Sequence, residues 1–254
     1  MASHPAEHHP KSGRVAKRLD ASGYDTDKWP ELLQSYEEAF SPFVDQDVVL
    51  LELGVHRGGS LKLWRDYFIR GRIIGLDTER CQIDDPTGRI RVYHGSQDDI
   101  ALLDRLARTE APNGFDIIID DASHVGHLTR TSFWHLFTHQ LKPGGYYAIE
   151  DWETGYWGSW RDGHDYAWAP DSPLREDWRP RASPPESTRE YPSHLYGMVG
   201  VIKELVDEVA RGEIVKGGPS GTSALGPRIS QLRIQTGLVL ATKSLSDCQQ
   251  VSSS

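Results

Sequence analysis

Residues 115–124 read FDIIIDDASH, an apolar run that is closed by two acids and a histidine. A second run of this kind, YYAIED at residues 146–151, ends on a glutamate and an aspartate. Short, nearly continuous apolar runs are typical of strands that are buried on both faces of a parallel sheet. If the two strands are neighbours, their carboxyl ends meet at one edge of the sheet. Three or four carboxylates and one imidazole then share a pocket.

Carboxylates that lie so close together repel one another unless a proton or a cation lies between them. A hard divalent cation with oxygen ligands is the natural occupant of such a pocket, and a histidine beside it is a natural base. Magnesium suits a set of carboxylates better than zinc, which prefers more histidine or cysteine ligands. The two runs therefore predict an enzyme with a metal site at the carboxyl edge of its sheet.

The rest of the chain alternates stretches of strand and helix type. Further strand-like runs occupy residues 48–54, 72–77, 90–94, 229–234 and 238–242. Amphipathic stretches lie between them, and this alternation predicts an α/β protein with a doubly wound, mostly parallel, seven-stranded sheet. The tight turn at 235–237 predicts that the last two strands form an antiparallel hairpin at the edge of the sheet. We also expect a glycine turn at 142–145 before the fifth strand, and a helix end at Gly212.

A glycine-containing loop joins the first strand to the next helix, in the run ELGVHRGGS at residues 52–60. Glycines let the backbone approach a ligand closely, and a helix N-terminus offers free N–H groups. The spacing is Gly-x-x-x-Gly instead of the Gly-x-Gly-x-x-Gly of dinucleotide binders, which favours a cofactor without a pyrophosphate. The candidate cofactor residues in this loop are Glu52, Gly54, Gly58 and Ser60. Alternatively, the glycines serve only a tight turn.

Two later strand ends carry further candidate cofactor residues. Asp77 ends the second strand, where it can hold the two hydroxyls of a ribose. Ser96, Gln97 and Asp98 follow the third strand, where they can meet the edge of an adenine. Asp120 is either a helix or turn cap or a contact to the amino group of the cofactor.

Together, these strand ends resemble a class I S-adenosylmethionine (SAM)-dependent methyltransferase, with a Rossmann-like sheet and a closing hairpin. Five motifs that recur in order make the resemblance closer: GYDTDK, LELGV followed by GGSL, DDASH, LKPGG, and IEDW followed by GYW. They resemble the sugar O-methyltransferases of the macrocin and mycinamicin type, and the methylmannose-polysaccharide methyltransferases are also similar. The match covers roughly residues 23–151 and returns in the closing hairpin.

The resemblance implies SAM and Mg²⁺ as cofactors and a specific set of site residues. The metal would be held by Asp121, Glu150 and Asp151, and His124 would be the general base. The implied reaction is methyl transfer to a hydroxyl of a mannoside, a deoxysugar or a glycosylated natural product (EC 2.1.1.-). Two alternatives stay open: a metal-dependent O-methyltransferase of a catechol or other phenol, and a non-catalytic SAM-binding protein.

Composition bounds the partners. The formal net charge of −9 argues against nucleic acid or an anionic membrane as the main partner. No apolar run approaches the roughly 20 residues that span a bilayer, and the N-terminus lacks the apolar core of a signal peptide. The expected partner is a small-molecule or oligosaccharide acceptor. We expect a cytoplasmic location, with a homo-oligomer as a possible assembly.

The expected organisation is one methyltransferase domain at residues 21–245. Disordered tails are predicted at 1–20 and 246–254. Residues 152–192 interrupt the regular pattern and are rich in tryptophan and proline, so we predict a lid or insertion there. Its tryptophans either pack the lid onto the body or offer flat apolar faces on which a sugar ring stacks.

Overall fold

The computed structural model describes residues 18–173, 193–216 and 228–245. The strands are β1 Val49–Leu53, β2 Arg72–Asp77, β3 Ile90–His94, β4 Phe115–Asp120, β5 Leu141–Glu150, β6 Ile229–Gln235 and β7 Leu238–Lys243. The α-helices are α1 Pro30–Phe40, α2 Gly59–Tyr67, α3 Ile100–Glu110, α4 Gly126–His139, α5 Arg161–His164, α6 Gly197–Val209 and α7 Arg211–Lys216. Short 3₁₀ helices cover Ser41–Phe43 and Trp152–Tyr156.

The seven strands form one sheet in the order β3-β2-β1-β4-β5-β7-β6. The first five are parallel, and β7 runs antiparallel to both β5 and β6. This confirms the predicted fold class and the closing hairpin. The strands β1, β4 and β5 are neighbours, so the ends that carry the predicted acids lie side by side. The register pairs Leu53 with Asp120 and Asp120 with Ile149.

Helices cover both faces of the sheet, because alternate strand residues point to opposite sides. On one face, Leu50 and Ile117 pack in the same apolar cluster as Tyr36 of α1 and Trp64 of α2. On the other face, apolar residues of β1 and β4 pack with those of α3, α4 and α6. The carboxyl ends of the strands lie between these two layers, which is where ligands bind in open α/β sheets.

Two predicted breaks differ from the structure. Residues 142–145 do not precede the fifth strand but lie within it. Phe115 pairs with Leu141 and Ile117 with Tyr146, so these four residues bulge out of the ladder, with Gly144 at φ +76°. Gly212 does not end a helix either. The helix α6 ends at Val209, and the carbonyl of Ala210 accepts hydrogen bonds from two amides of α7, so a new helix begins before Gly212.

The predicted tails and lid fall partly outside the described residues. Positions 1–17, 174–192 and 246–254 are not described, so the disorder of the tails and the outer half of the lid stay predictions. Leu19 lies within the predicted tail but is buried in the core. Residues 152–173, called the lid segment below, contain a 3₁₀ helix and α5. In the described part of the chain, none of the helices is long and apolar enough to cross a membrane.

Candidate active site

The loop between β1 and α2 is pressed against its neighbours through its glycines. Gly54 has φ +90°, and a Cβ at this position would lie 2.0 Å from the carbonyl oxygen of Asp121. Gly58 has φ +79° and is the N-cap of α2. A Cβ on Gly59 would lie 1.9 Å from the carbonyl oxygen of Asp25. The N-terminal segment, the loop and the end of β4 therefore pack as one unit that only glycine permits.

Asp77, at the end of β2, holds this loop in place. Its Oδ2 accepts hydrogen bonds from the backbone N–H groups of Val55 at 2.7 Å and His56 at 2.9 Å, and its Oδ1 accepts one from Glu79 at 2.8 Å. Partial burial opposes ionisation, but the three backbone donors outweigh it and lower the pKa of Asp77. Asp77, which we predicted to bind the ribose, therefore holds the glycine loop in shape.

A cavity of about 640 Å³ lies in front of this loop. Its walls include Asp25, Gly54, Asp77 and Glu79, and Asp121 closes the side toward β4. The volume falls in the range of about 300–1,000 Å³ that is typical of small-molecule and cofactor sites.

The acids at the ends of β1, β4 and β5 form two groups that share Asp121. In the inner cluster, carboxylate oxygens of Glu52, Asp121 and Glu150 all lie within 4.8 Å of one another. In the outer cluster, the same holds for ligand atoms of Asp121, His124 and Asp151. The predicted ligands Asp121, Glu150 and Asp151 are therefore divided between two adjoining groups.

Lys28 lies in the inner cluster, and sequence reasoning missed it. Its Nζ is 2.9 Å from Oδ2 of Asp121, 2.5 Å from Oε1 of Glu150 and 3.6 Å from Oε1 of Glu52. The lysine side chain is only 1% exposed. The hydroxyl of Tyr36, on α1, donates a second hydrogen bond to Oε1 of Glu150 at 2.7 Å. The GYDTDK motif contained the only signal, a lysine close to a run of acids.

The inner cluster is buried, and burial and the neighbouring charges shift its pKa values in opposite directions. Burial alone would lower the pKa of Lys28, but the three carboxylates raise it well above its usual value. Burial raises the pKa of Glu150 to about 8, with Asp121 adding to the rise and Lys28 opposing it. Burial likewise raises the pKa of Glu52 to about 7 against the effect of Lys28. Ser60 donates to Oε2 of Glu52 at 2.9 Å, whereas Oε1 accepts no hydrogen bond from the described residues.

The outer cluster is more open. The Nε2 atom of His124 lies 3.9 Å from Oδ1 of Asp121 and 3.9 Å from Oδ2 of Asp151. Burial raises the pKa of Asp151, and His124 opposes this rise. The ring of Trp160, from the lid segment, meets the imidazole edge-on at a centroid distance of 5.2 Å. An imidazole, two carboxylates and an aromatic ring thus lie together at the edge of the sheet.

Backbone strain is concentrated at this edge. Among the described residues, the non-glycine residues with positive φ are His56 at 48°, His124 at 51° and Asp151 at 51°. The left-handed region is unfavourable for such residues and persists where the surroundings enforce it, often at functional sites. His56 lies in the loop between β1 and α2, and His124 and Asp151 lie in the outer cluster.

Asp120 and Gln97 bond to each other, an arrangement the sequence did not predict. The amide Nε2 of Gln97 donates to both oxygens of Asp120 at 3.1 Å, and its Oε1 accepts from the N–H of Ser123 at 3.1 Å. Both side chains are buried, and burial raises the pKa of Asp120 to about 6. Of the predicted adenine-edge residues, Gln97 thus supports the loop that leads to His124. The hydroxyl of Ser96 donates to Oδ1 of Asp98 instead.

The lid segment is tied through Asp162 to the loop that carries His124. Oδ2 of this residue accepts from the N–H of Gly126 at 2.7 Å and from the N–H of Met198 at 2.8 Å. It therefore caps the first turns of both α4 and α6. Since α4 begins two residues after His124, the lid segment, the loop that carries His124 and α6 meet at the Asp162 carboxylate.

Comparisons with known proteins agree with this arrangement. No family model matches the chain. It is 45% identical over 130 residues to mycinamicin VI 2''-O-methyltransferase of Micromonospora griseorubida, which covers 48% of this chain and 31% of that protein. It is 40% identical over 146 residues to demethylmacrocin O-methyltransferase of Streptomyces fradiae, which covers 54% and 36% of the two chains. A tetracenomycin rhamnosyl 3'-O-methyltransferase of Streptomyces olivaceus is 41% identical over 152 residues, or 57% of this chain and 37% of that protein.

A solved structure extends the likeness to the fold. The MycE methyltransferase of the mycinamycin biosynthetic pathway, in complex with Mg and SAH, superposes with a TM-score of 0.67 at 30% sequence identity. The match covers 90% of this chain and 55% of that one. The chain spans about a third of the length of the curated relatives it matches and about half of this structure. It thus has the Rossmann-like methyltransferase fold and is homologous to sugar O-methyltransferases of macrolide and tetracenomycin pathways.

Proposed function

We propose that this chain transfers a methyl group from SAM to a hydroxyl of a sugar, in a reaction that depends on Mg²⁺. The observation that carries the proposal is the position of Asp121. This residue lines the cavity beside the glycine loop, and its Oδ1 lies 3.9 Å from Nε2 of His124. The cofactor pocket, the cation ligands and the base therefore adjoin one another, as a direct transfer requires.

The cofactor would lie in the cavity against the glycine loop. SAM supplies the methyl group. Gly54 and Gly58 place no side chain at either end of the loop, so its backbone and the start of α2 can contact the ligand there. An ionised carboxylate has about four acceptor positions, and Asp77 uses three for backbone donors, so it keeps capacity for a ribose hydroxyl. Glu52 and Ser60 support this loop from beneath, and Ser96 and Asp98 lie beyond β3.

The acids at the strand ends fit a divalent cation. Their donors are oxygens, which suit Mg²⁺, and two groups have ligand atoms within 4.8 Å of one another. We assign Asp121, Glu150 and Asp151 as the ligands. A bound Mg²⁺ supplies Lewis acidity and a fixed positive charge beside the acceptor.

His124 is the proposed general base. Its Nε2 faces the carboxylates of Asp121 and Asp151, so the positive charge that the imidazole gains with a proton lies between two negative groups. The capped start of α4 and the contact with Trp160 hold the ring in place. A base positioned in this way typically contributes roughly 10²–10⁴-fold to the rate.

The acceptor class is inferred from the relatives. Two of them are named for O-methylation of a rhamnosyl group on tetracenomycin C, and one for 3-O-methylation of L-olivosyl-oleandolide. We infer that a small-molecule glycoside binds at the outer cluster beside Trp160. The cytoplasmic location and a possible homo-oligomer stay predictions of the sequence.

A panel of acceptors tests the proposal. The full chain is incubated with SAM, Mg²⁺ and rhamnosides, mannosides, macrolide glycosides or catechol, and mass spectrometry detects the gain of one methyl group. We expect methylation of at least one glycoside, its loss in EDTA, and its recovery with added Mg²⁺. Methylation of catechol alone would favour a phenol methyltransferase. SAM binding without turnover on any acceptor would favour a non-catalytic protein.

A further inference from the structure

The two acidic clusters share Asp121 but are neutralised differently. The inner cluster contains the ammonium of Lys28, which contacts all three of its carboxylates. In the outer cluster, the basic group within 4.0 Å of Asp151, among the described residues, is the imidazole of His124. One ammonium therefore contacts three of the four carboxyl groups, and it forms no ion pair with Asp151.

The inner cluster has the features of a cation site that a side chain already occupies. The Nζ of Lys28 lies between oxygens of Asp121 and Glu150, which it contacts directly. Oε1 of Glu52 is fully buried, accepts no hydrogen bond from the described residues, and lies 3.6 Å from the same Nζ. This atom is an unused acceptor aimed at the cation position.

The lysine is held there by more than its charges. The backbone of Asp25, three residues before it, packs directly against Gly59 in the glycine loop. Tyr36, two turns into the helix that begins after Lys28, shares Oε1 of Glu150 with it. A tethered ammonium in this position excludes another cation by space and by repulsion. It leaves Oδ1 of Asp121 directed at His124.

We propose that Lys28 is a positioning residue that keeps divalent cations out of the space beside Glu52 and so directs the cation held by Asp121 and Glu150 toward Asp151. The proposal rests on the cation dependence of the proposed function. It goes beyond that function by assigning which side of Asp121 the cation enters. It predicts that cation binding depends on Asp151 in the natural chain, and comes to depend on Glu52 only when the lysine is removed.

The test measures Mn²⁺ binding to the full chain by electron paramagnetic resonance and calorimetry, without acceptor. In the natural chain, Asp151→Asn should weaken Mn²⁺ binding by about tenfold or more, whereas Glu52→Gln should change it by less than about twofold. In a Lys28→Met background the space beside Glu52 is open. There, Glu52→Gln should weaken binding by about tenfold or more. Lys142→Met is the matched control, because Lys142 pairs with Asp116 at the opposite end of β4. It should leave Mn²⁺ binding unchanged.

The natural-chain variants keep the proposal falsifiable even if Lys28→Met does not fold. If Glu52→Gln weakens Mn²⁺ binding in the natural chain as much as Asp151→Asn does, Lys28 does not keep the cation out of the space beside Glu52. An absent Glu52 effect in a folded Lys28→Met chain overturns the proposal as well. A natural chain that binds no Mn²⁺ overturns the metal dependence of the proposed function itself, and the assignment of the outer cluster falls with it.

Discussion

The carboxyl edge of the sheet has two sides that use carboxylates in opposite ways. On the side of the proposed cofactor pocket, called the cofactor side below, Asp77 accepts hydrogen bonds from three backbone N–H groups, which lower its pKa. On the side of the proposed acceptor site, called the acceptor side below, Glu150 lies buried beside other carboxylates, and its pKa rises to about 8 although Lys28 opposes the rise. Backbone hydrogen bonds thus stabilise the negative charge of Asp77, whereas burial and repulsion destabilise that of Glu150.

This difference indicates that the carboxylates on the two sides have different roles. A satisfied carboxylate has little left to gain and is suited to holding a loop in shape. Buried carboxylates that repel one another are stabilised by a bound cation or proton. Groups with perturbed pKa values also cluster at functional sites. The strained backbones of His124 and Asp151 lie on this second side. We therefore expect substitutions on the two sides to affect different steps.

The largest expected effect is on the acceptor side. His124→Ala should lower methyl transfer by roughly 10²–10⁴-fold, because the base that takes the hydroxyl proton is removed. SAM binding, measured by calorimetry, should stay near that of the natural chain, since the imidazole faces Asp121 and Asp151 instead of the glycine loop. His127→Ala, an exposed histidine on the next helix, is the control. Near-normal turnover of His124→Ala would remove His124 as the base.

The next effect concerns Asp120, the buried acid beneath both sides. Its native pKa of about 6 lies above the ordinary 3.8, because burial disfavours the charge. Between these values the folded chain keeps a proton that the unfolded chain has lost, so stability falls as the pH rises through this window. Relative to Asp120→Asn, the natural chain should lose roughly 1–3 kcal/mol between about pH 4 and about pH 6.5. Urea unfolding in EDTA at several pH values measures this, and parallel curves for the two chains would contradict it.

On the cofactor side, Asp77→Asn should weaken SAM binding by roughly 10- to 100-fold. The change removes the charge that accepts three backbone hydrogen bonds. Because a hydrogen bond to a charged group contributes about 1.5–3 kcal/mol, the loop should lose its shape. Asp47→Asn is the control. Asp47 is an exposed aspartate that pairs with Arg70 and precedes β1, at the opposite edge of the sheet. Equal losses in both variants would mean that Asp77 acts by charge alone and not by holding the loop in shape.

Apolar runs and the residues that end them are local signals, so the sequence is enough to predict which strand ends carry the acids. Those signals place Asp77, Asp121, Glu150 and Asp151 at one edge of the sheet. They do not indicate what neutralises these acids. Lys28 is 93 residues from Asp121 and 122 from Glu150 along the chain, so only the folded packing of α1 and the glycine loop brings it there.

The partners of side chains were also hidden. Gln97 follows a strand end as a cofactor residue would, yet its amide turns inward to Asp120. Residues 142–145 have turn chemistry, and the turn exists, but the ladder with β4 resumes on both sides of it. In both cases a tertiary contact decides how the locally predicted residues are used.

The smallest expected effect separates the two sides most sharply, because it concerns only the side of the proposed acceptor site. The Trp160 ring contacts His124 and is 37% exposed, so one part of it positions the base and another is free to meet a ligand. Trp160→Leu should raise the acceptor KM about two- to tenfold, the range expected for one aromatic contact. It should leave the SAM Kd unchanged. Trp160→Phe should recover most of the loss, and Trp168→Leu, at an exposed lid position, should change neither constant. If Trp160→Leu weakened SAM binding instead, the lid segment would belong to the cofactor side, and the division at Asp121 would not describe this edge.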